Sequence, residues 1–173
     1  MGRLTEVTSE LHQVGKKALV AYVVAGDPHP KVTVPLMHQM VAAGVDIIEL
    51  GVPFTDPEAE GPVIQAAHER ALAHQVTLQQ VIDMVIEFRT ENTGTPVVLM
   101  GYLNPIERMG YQAFSQSAGK AGVDGLRGQS GICLLCLSER NHRRGQLRYS
   151  RSASPSNDPK RLHRPTLVGG LWH

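Results

Sequence analysis

The sequence predicts an α/β fold built on a parallel sheet, closed either into a barrel or into a doubly wound sheet. Three apolar runs of strand length carry this prediction: "ALVAYVV" at 18–24, "DIIEL" at 46–50 and "TPVVLMGY" at 95–102. Continuous apolar runs are typical of strands buried on both faces. Helical patterns separate the runs, and such alternation predicts parallel strands joined by right-handed crossovers.

The first half of the pattern begins with a short amphipathic helix. Apolar residues recur at helical spacing from Leu4 to Val14,. The strand at 18–24 follows and is bounded by "AGDP", in which Asp27 is most simply a turn residue. Pro30 starts a second helix that is expected to run to Ala43, directly before the strand "DIIEL".

The second half contains clearer helix signals. Pro62 follows a glycine and fits the first helical position, where its missing N–H costs nothing, so a helix is predicted from there to about His74,. Thr77 and Gln80 have the spacing of a capping box for the next helix,. After the third strand, residues 105–120 are predicted to form one or two helices.

A four-residue repeat, "AGVD", marks the points where strands should begin. It occurs at 43–46, before the strand "DIIEL", and again at 121–124. The second copy is followed by "GLRGQSG", which has no strand pattern. We therefore expect the chain to lack a fourth strand at this point.

The chain is divided by charge at the same place. Residues 1–126 hold 8 Lys and Arg against 14 Asp and Glu, whereas residues 127–173 hold 9 against 2. Residues 127–173 have no helical or strand periodicity, and their composition predicts a basic, disordered tail. Cys133 and Cys136 form a lone CxxC, which cannot supply four zinc ligands, so no metal site is expected,.

The cellular compartment is inferred from missing signals. No apolar run reaches the ~18 residues of a membrane-spanning helix. The first residues lack the apolar core of a signal peptide,. A cytoplasmic protein without a membrane role is therefore expected.

Two acids are candidates for catalysis. Glu49 lies at the carboxyl end of a predicted buried strand, where α/β folds place reactive groups and where a partly desolvated carboxyl suits proton transfer,. Glu60 lies in the following loop, and two acids facing one pocket can divide the acid and base roles,. The alternatives are a structural carboxylate at Glu49 and a solvated loop at Glu60.

The motifs "ALVAYVVAGDP", "AGVDIIELGVPFTDPEAEGPVIQAA" and "PVVLMGYLNPI" together resemble the α chain of tryptophan synthase over about residues 1–126. The resemblance implies a (β/α)₈ TIM barrel, of which this chain carries the first three to four β/α units. It implies a lyase of tryptophan biosynthesis that cleaves indole-3-glycerol phosphate to indole and glyceraldehyde 3-phosphate. It also implies a β-chain partner in an α2β2 tetramer; pyridoxal phosphate belongs to that β chain, and this chain needs no cofactor.

The same resemblance assigns roles to individual residues. Glu49 is the acid that protonates C3 of the indole, and Glu60 occupies the position of the second acid, usually aspartate, which acts on the indole N–H. Tyr22, Met100 and Tyr102 are placed near the indole as apolar or aromatic walls, with barrel-core packing as the alternative.

Three further residues correspond to loops that face the β chain. They are Pro53, Asp56 and Asn104. This assignment explains part of the acidic cluster without giving every carboxylate a chemical role. The remaining acid, Glu58, is expected to be solvated.

The family pattern stops where the charge changes. Beyond "AGVDG" the family continues with an apolar strand and a "DLPPEE"-like loop, and neither occurs here. We therefore interpret residues 1–126 as the first half of a barrel and residues 127–173 as a tail translated in a shifted reading frame. Two alternatives to an active enzyme follow: an inactive truncated product and, less favoured, a module that binds nucleic acid through its basic tail.

Overall fold

The computed structural model describes residues 2–57, 60–128 and 135–136. They form one five-stranded sheet with strands in the order β1-β2-β3-β4-β5, and helices connect the parallel strands. The elements in chain order are α1 Arg3–Gln13, β1 Val20–Val24, α2 Pro30–Ala42, β2 Ile47–Gly51, α3 Pro62–Ala73, α4 Leu78–Arg89, β3 Val97–Gly101, α5 Leu103–Met109, α6 Tyr111–Ala121, β4 Gly125–Gly128 and β5 Leu135–Cys136.

The predicted helices and the first three strands are confirmed, with small shifts at their ends. The Thr77 hydroxyl accepts a hydrogen bond from the Gln80 N–H, and the Gln80 side-chain oxygen accepts one from the Thr77 N–H, so the capping box is formed. The region at 105–120 divides into two helices at Gly110, whose φ of 87° favours glycine,.

The expectation of no fourth strand is wrong. Gly125–Gly128 pairs in parallel with β3 from Val98 to Gly101. Pairing needs only backbone groups, and the edge of β3 provides them whatever the side chains of the partner. Leu126 is the one large apolar side chain in this strand, and it is buried in the core.

Part of the tail also pairs, against the prediction of a segment without strands. Leu135–Cys136 lies antiparallel to β4, opposite Gly125 and Leu126. The rest of the predicted disordered tail lies outside the described residues, except for Arg127 and Gly128 at its start.

The strand order distinguishes a barrel from a doubly wound sheet, the two folds that the sequence allowed. β1 to β4 follow one another in the sheet without a reversal, as in a (β/α) barrel, whereas a doubly wound sheet reverses its order at a switch point. Helices α2, α4 and α6 pack side by side. Their side chains form one core with those of the strands, including Phe88, Phe114, Met37, Ile48 and Leu99.

The opposite, inner face of the sheet carries the residues of interest. Tyr22 and Glu49 lie side by side in the β1–β2 register, and Glu49 lies opposite Val98 of β3. Helix α1 covers the lower part of this face through Leu4, which contacts Ile47 and Val98. Helix α3 packs near the upper end of β1.

The "AGVD" repeat has a structural role that its sequence did not reveal. Asp46 accepts a hydrogen bond from the Leu19 N–H (2.8 Å), and its own N–H donates to the Leu19 carbonyl (3.0 Å). Asp124 makes the same pair of bonds with Val97, at 2.9 Å each. Each aspartate thus fixes the start of one strand against its neighbour.

Asp124 also binds two arginines. Its carboxylate lies 3.0 Å from Nε of Arg3 and 2.9 Å from Nη2 of Arg89. Burial raises the pKa of Asp124 despite both guanidinium groups, and burial lowers the pKa of Arg89 to about 10. The cluster joins α1, α4 and β4 at the bottom of the sheet.

Asp124→Ala is expected to reduce the free energy of unfolding by about 3–5 kcal/mol, because it leaves buried cationic partners without their carboxylate. Urea denaturation followed by circular dichroism measures the loss. Asp46→Ala is the matched control, since Asp46 bonds the same kind of N–H without an arginine, and it should cost about 1 kcal/mol,. Equal losses in the two variants would contradict a special role for the arginine cluster.

No helix among the described residues is long and apolar enough to cross a bilayer.

Candidate functional site

Glu49 lies near the carboxyl end of β2 on the inner face. Its side chain is 18% exposed, and its Oε1 lies 2.9 Å from Nη1 of Arg127 on β4. Arg127 is itself about half exposed. The sequence did not indicate this contact, because the two residues are 78 positions apart and the strand that carries Arg127 was not predicted.

Glu60 lies in the loop before α3 and is more buried than its loop position suggests. Its side chain is 7% exposed, and its Oε2 lies 2.6 Å from Nε2 of His68, whose side chain is 2% exposed. The Gln65 side chain donates to the carbonyls of Pro57 and Glu60, which closes the loop onto α3. Glu60 is therefore held against the inner side of the helix rather than in solvent.

Tyr22 lies between the two acids. Its hydroxyl is 3.4 Å from Nε2 of His68 and forms a hydrogen bond with Glu60. Burial, the charges of Glu60 and Glu49, and that hydrogen bond raise the pKa of Tyr22. The phenol consequently stays protonated and can donate to a carboxylate.

Gly51 makes room for this arrangement. A Cβ at Gly51 would collide with the hydroxyl end of the Tyr22 ring. The glycine at the end of β2 therefore allows the phenol to lie across the sheet towards Glu60.

His68 is the site residue that sequence reasoning missed. Its Nδ1 accepts a hydrogen bond from the Phe54 N–H at 3.1 Å, which connects the loop after β2 to α3. The available signal was helical spacing, because His68 shares the buried face of α3 with Ala67 and Ala71,. A histidine on such a face is by itself unspecific.

Met100 and Tyr102, which were predicted with Tyr22 to line an indole site, lie at the carboxyl end of β3. Met100 is half-buried and lies level with Gly51 on one side and Arg127 on the other. Tyr102 follows β3 and stacks on Phe54, with ring centroids 4.5 Å apart and planes at 25°. Phe54 is thus a second aromatic group at this rim that the sequence did not single out.

Two of the three predicted partner-facing residues share one depression. Pro53, which is buried, and Asn104, which is exposed, both line a surface cavity of about 490 Å³ between the loops after β2 and β3. Asp56 is exposed and lies outside that lining, with Thr55 Oγ1 donating to its carboxylate at 3.2 Å. Glu58 lies outside the described residues.

The part of the chain that the structure describes contains no group of His, Cys, Asp and Glu side chains able to hold a metal ion. Cys133 and the side chain of Cys136 lie outside the described residues.

The consecutive parallel strands define a (β/α)-barrel protein, and two carboxylates and a tyrosine lie at the carboxyl ends of its strands, the end where such barrels carry their active sites,. Residues 8–127 match the family model of the tryptophan synthase alpha chain. The chain belongs to the tryptophan synthase alpha chain family.

Individual relatives agree with the family model. The tryptophan synthase alpha chains of Thioalkalivibrio sulfidiphilus and Marinobacter nauticus are 64% and 61% identical to this chain over 126 residues, which is 73% of this chain and 47% of each relative. The chain thus spans about half the length of the curated relatives it matches.

Solved structures confirm the predicted fold class. The crystal structure of tryptophan synthase subunit alpha from Legionella pneumophila superimposes with a TM-score of 0.73 at 54% identity, covering 74% of this chain and 49% of that one. A tryptophan synthase structure from M. tuberculosis gives 0.69 at 35% identity, over 73% of this chain and 50% of that one. The described residues are therefore the first units of a TIM barrel.

Proposed function

We propose that residues 1–126 form the indole-binding side of a lyase site that cleaves indole-3-glycerol phosphate to indole and glyceraldehyde 3-phosphate in tryptophan biosynthesis. One observation carries the proposal: the two acids lie on either side of Tyr22 at the carboxyl end of the strands. Glu49 is its neighbour in the β1–β2 register, and Glu60 is 2.6 Å from Nε2 of His68, which in turn is 3.4 Å from the Tyr22 hydroxyl. Two acids placed in this way can exchange protons with two atoms of an indole, C3 and the ring nitrogen.

Glu49 supplies the proton that starts the reaction. Protonation of indole C3 converts the ring to an indolenine, which accepts the electrons of the breaking carbon–carbon bond. The glycerol hydroxyl next to that bond becomes the aldehyde and gives its proton to the Glu49 carboxylate, which restores the acid. Glu60 takes the proton of the indole N–H, or stabilises it, as the charge on nitrogen changes.

The walls of the site suit a flat apolar ring. Tyr22 and Met100 lie on the inner face, and Tyr102 stacks on Phe54 at the rim. Aromatic side chains contact a planar ligand over a large area and hold its orientation. These residues bind the indole and leave proton transfer to the acids.

The partner in this proposal is a tryptophan synthase β chain in an α2β2 tetramer. The depression lined by Pro53 and Asn104 opens beside the aromatic rim, where an indole product would leave. Asp56 lies on the exposed loop next to it. Pyridoxal phosphate binds to the β chain, so this chain carries no cofactor, and the assembly is cytoplasmic.

We propose further that residues 127–173 are translated out of frame and that the 173-residue chain does not turn over. The guanidinium of Arg127 binds Oε1 of Glu49, the acid that would protonate the substrate. A barrel of this kind takes its phosphate site from loops after the seventh and eighth strands, and residues 8–127 account for the whole family match,. No nucleic-acid role is needed to explain the basic tail.

The coding DNA tests the frame directly. Translation of one of the two other frames beyond codon 126 should give an apolar strand, a "DLPPEE"-like loop and later glycine-rich loops. The control is the same translation upstream of codon 126, where only the present frame should match the family. If neither alternative frame resembles the family, the frameshift proposal is wrong.

The catalytic proposal is tested by indole release from a chain that combines residues 1–126 with a complete second half of the barrel.

A further inference from the structure

We infer that His68 is a positioning residue for Glu60: its Nε2–H holds the Glu60 carboxylate beside Tyr22, where that carboxylate meets the indole N–H. The inference rests on the proposed function for the role of Glu60. It concerns a residue that touches the acid and not the substrate.

The hydrogen bonds of His68 determine its tautomer. A backbone N–H can only donate, so the bond from Phe54 requires a lone pair on Nδ1,. The single proton of the ring then lies on Nε2, which faces Glu60 Oε2 at 2.6 Å. The hydroxyl of Tyr22 is more distant from the same nitrogen, at 3.4 Å, so the carboxylate is the nearer neighbour of Nε2.

The same bonds exclude a proton relay through His68. Nε2 already carries a hydrogen, and Nδ1 faces an amide that neither supplies nor takes a proton in this range of pH. His68 can therefore orient the carboxylate but cannot carry its proton away. Glu60 remains the group that would exchange a proton with the ligand.

Helix α3 holds Glu60 at two points. Gln65 donates to its backbone carbonyl at 2.9 Å, and His68, three residues further along the helix, contacts its carboxylate. A glutamate has more rotatable bonds than an aspartate, so its carboxylate needs fixing if it is to keep one position. Tyr22 provides a further bond from β1. A fixed carboxylate is the condition for an oriented hydrogen bond to a ligand.

The tautomer can be measured in the 173-residue chain itself. Long-range ¹H–¹⁵N correlation spectra of histidine-labelled protein should show the His68 ring with its hydrogen on Nε2 and none on Nδ1. His68→Gln should remove that signal. An Nδ1–H tautomer at His68 would overturn the inference without any ligand.

The ligand test compares indole with 1-methylindole by NMR titration. A hydrogen bond from the indole N–H to the Glu60 carboxyl group should favour indole by about tenfold in the unmodified chain. His68→Leu should reduce this preference to nearly one, whereas His68→Gln, whose amide nitrogen can replace Nε2, should retain most of it. His12→Gln, on the exposed side of α1, is the control and should change nothing.

The outcomes separate the two proposals. A preference that survives in a folded His68→Leu chain overturns the positioning role of His68 and leaves Glu60 as the group that binds the N–H. No preference in the unmodified chain overturns the role of Glu60 in the proposed function, and the inference falls with it. If His68→Leu loses the preference for indole over 1-methylindole and His68→Gln retains it, both proposals are supported. A packing defect alone would weaken binding of the two ligands equally.

Discussion

A chimera that joins residues 1–126 of this chain to the second half of the Thioalkalivibrio sulfidiphilus tryptophan synthase alpha chain should release indole from indole-3-glycerol phosphate. We expect a rate at least ~10³-fold above that of the 173-residue chain. Loss of a single preorganised hydrogen-bond donor typically costs about 10²–10³ in rate, and the second half supplies the loops that bind phosphate. It also replaces Arg127, which frees the Glu49 carboxylate.

The measurement is indole formation over time, with and without a β chain. The intact Thioalkalivibrio chain, 64% identical over the grafted part, is the positive control, and the 173-residue chain is the negative one. A folded chimera that forms no indole would contradict the catalytic role of residues 1–126. Equal rates for the chimera and the 173-residue chain would contradict the proposal that the present tail prevents turnover.

Glu49→Gln in the same chimera should lower kcat by about 10²–10⁴, the usual contribution of a positioned general acid. Glutamine keeps the size and the polarity of the side chain but has no proton to transfer to C3. The Michaelis constant should change much less, because the proposed wall residues Tyr22, Met100 and Tyr102 are unaltered. Steady-state kinetics of indole release separate the two parameters.

Glu87→Gln is the matched control for this substitution. Glu87 is exposed on α4, and its loss should leave both parameters unchanged. A Glu49→Gln chimera with near-normal kcat would reassign the proton donor, and Glu60 would be the next candidate.

The parts of the fold that were predictable are those set by local pattern. Apolar runs located β1, β2 and β3, and Pro62 and Thr77 located the starts of α3 and α4. The strand β4 was missed because its formation depends on the exposed edge of β3 and not on its own residues. A pattern read along one segment contains no information about the edge it will meet.

The candidate site shows the same division. Glu49 could be located because it ends a recognisable strand, and Glu60 because it precedes a helix start. Their partners could not be predicted, since Arg127 and His68 reach the acids only after the sheet and α3 have packed. The burial of Glu60, in a loop whose acids suggested solvent, is likewise a result of tertiary packing.

The exposed edge of strand β1 affects the tendency of this protein to self-associate. Leu19 and Val20 are 53% and 46% exposed, and within the described sheet only one side of β1 is paired. Such an edge is a template for self-association. Lys16 and Lys17, both exposed, stand directly before it, and their charges oppose the approach of a second copy. Pairing of two copies through this edge should therefore depend on two residues outside the proposed catalytic chemistry, and it should increase when salt screens their repulsion.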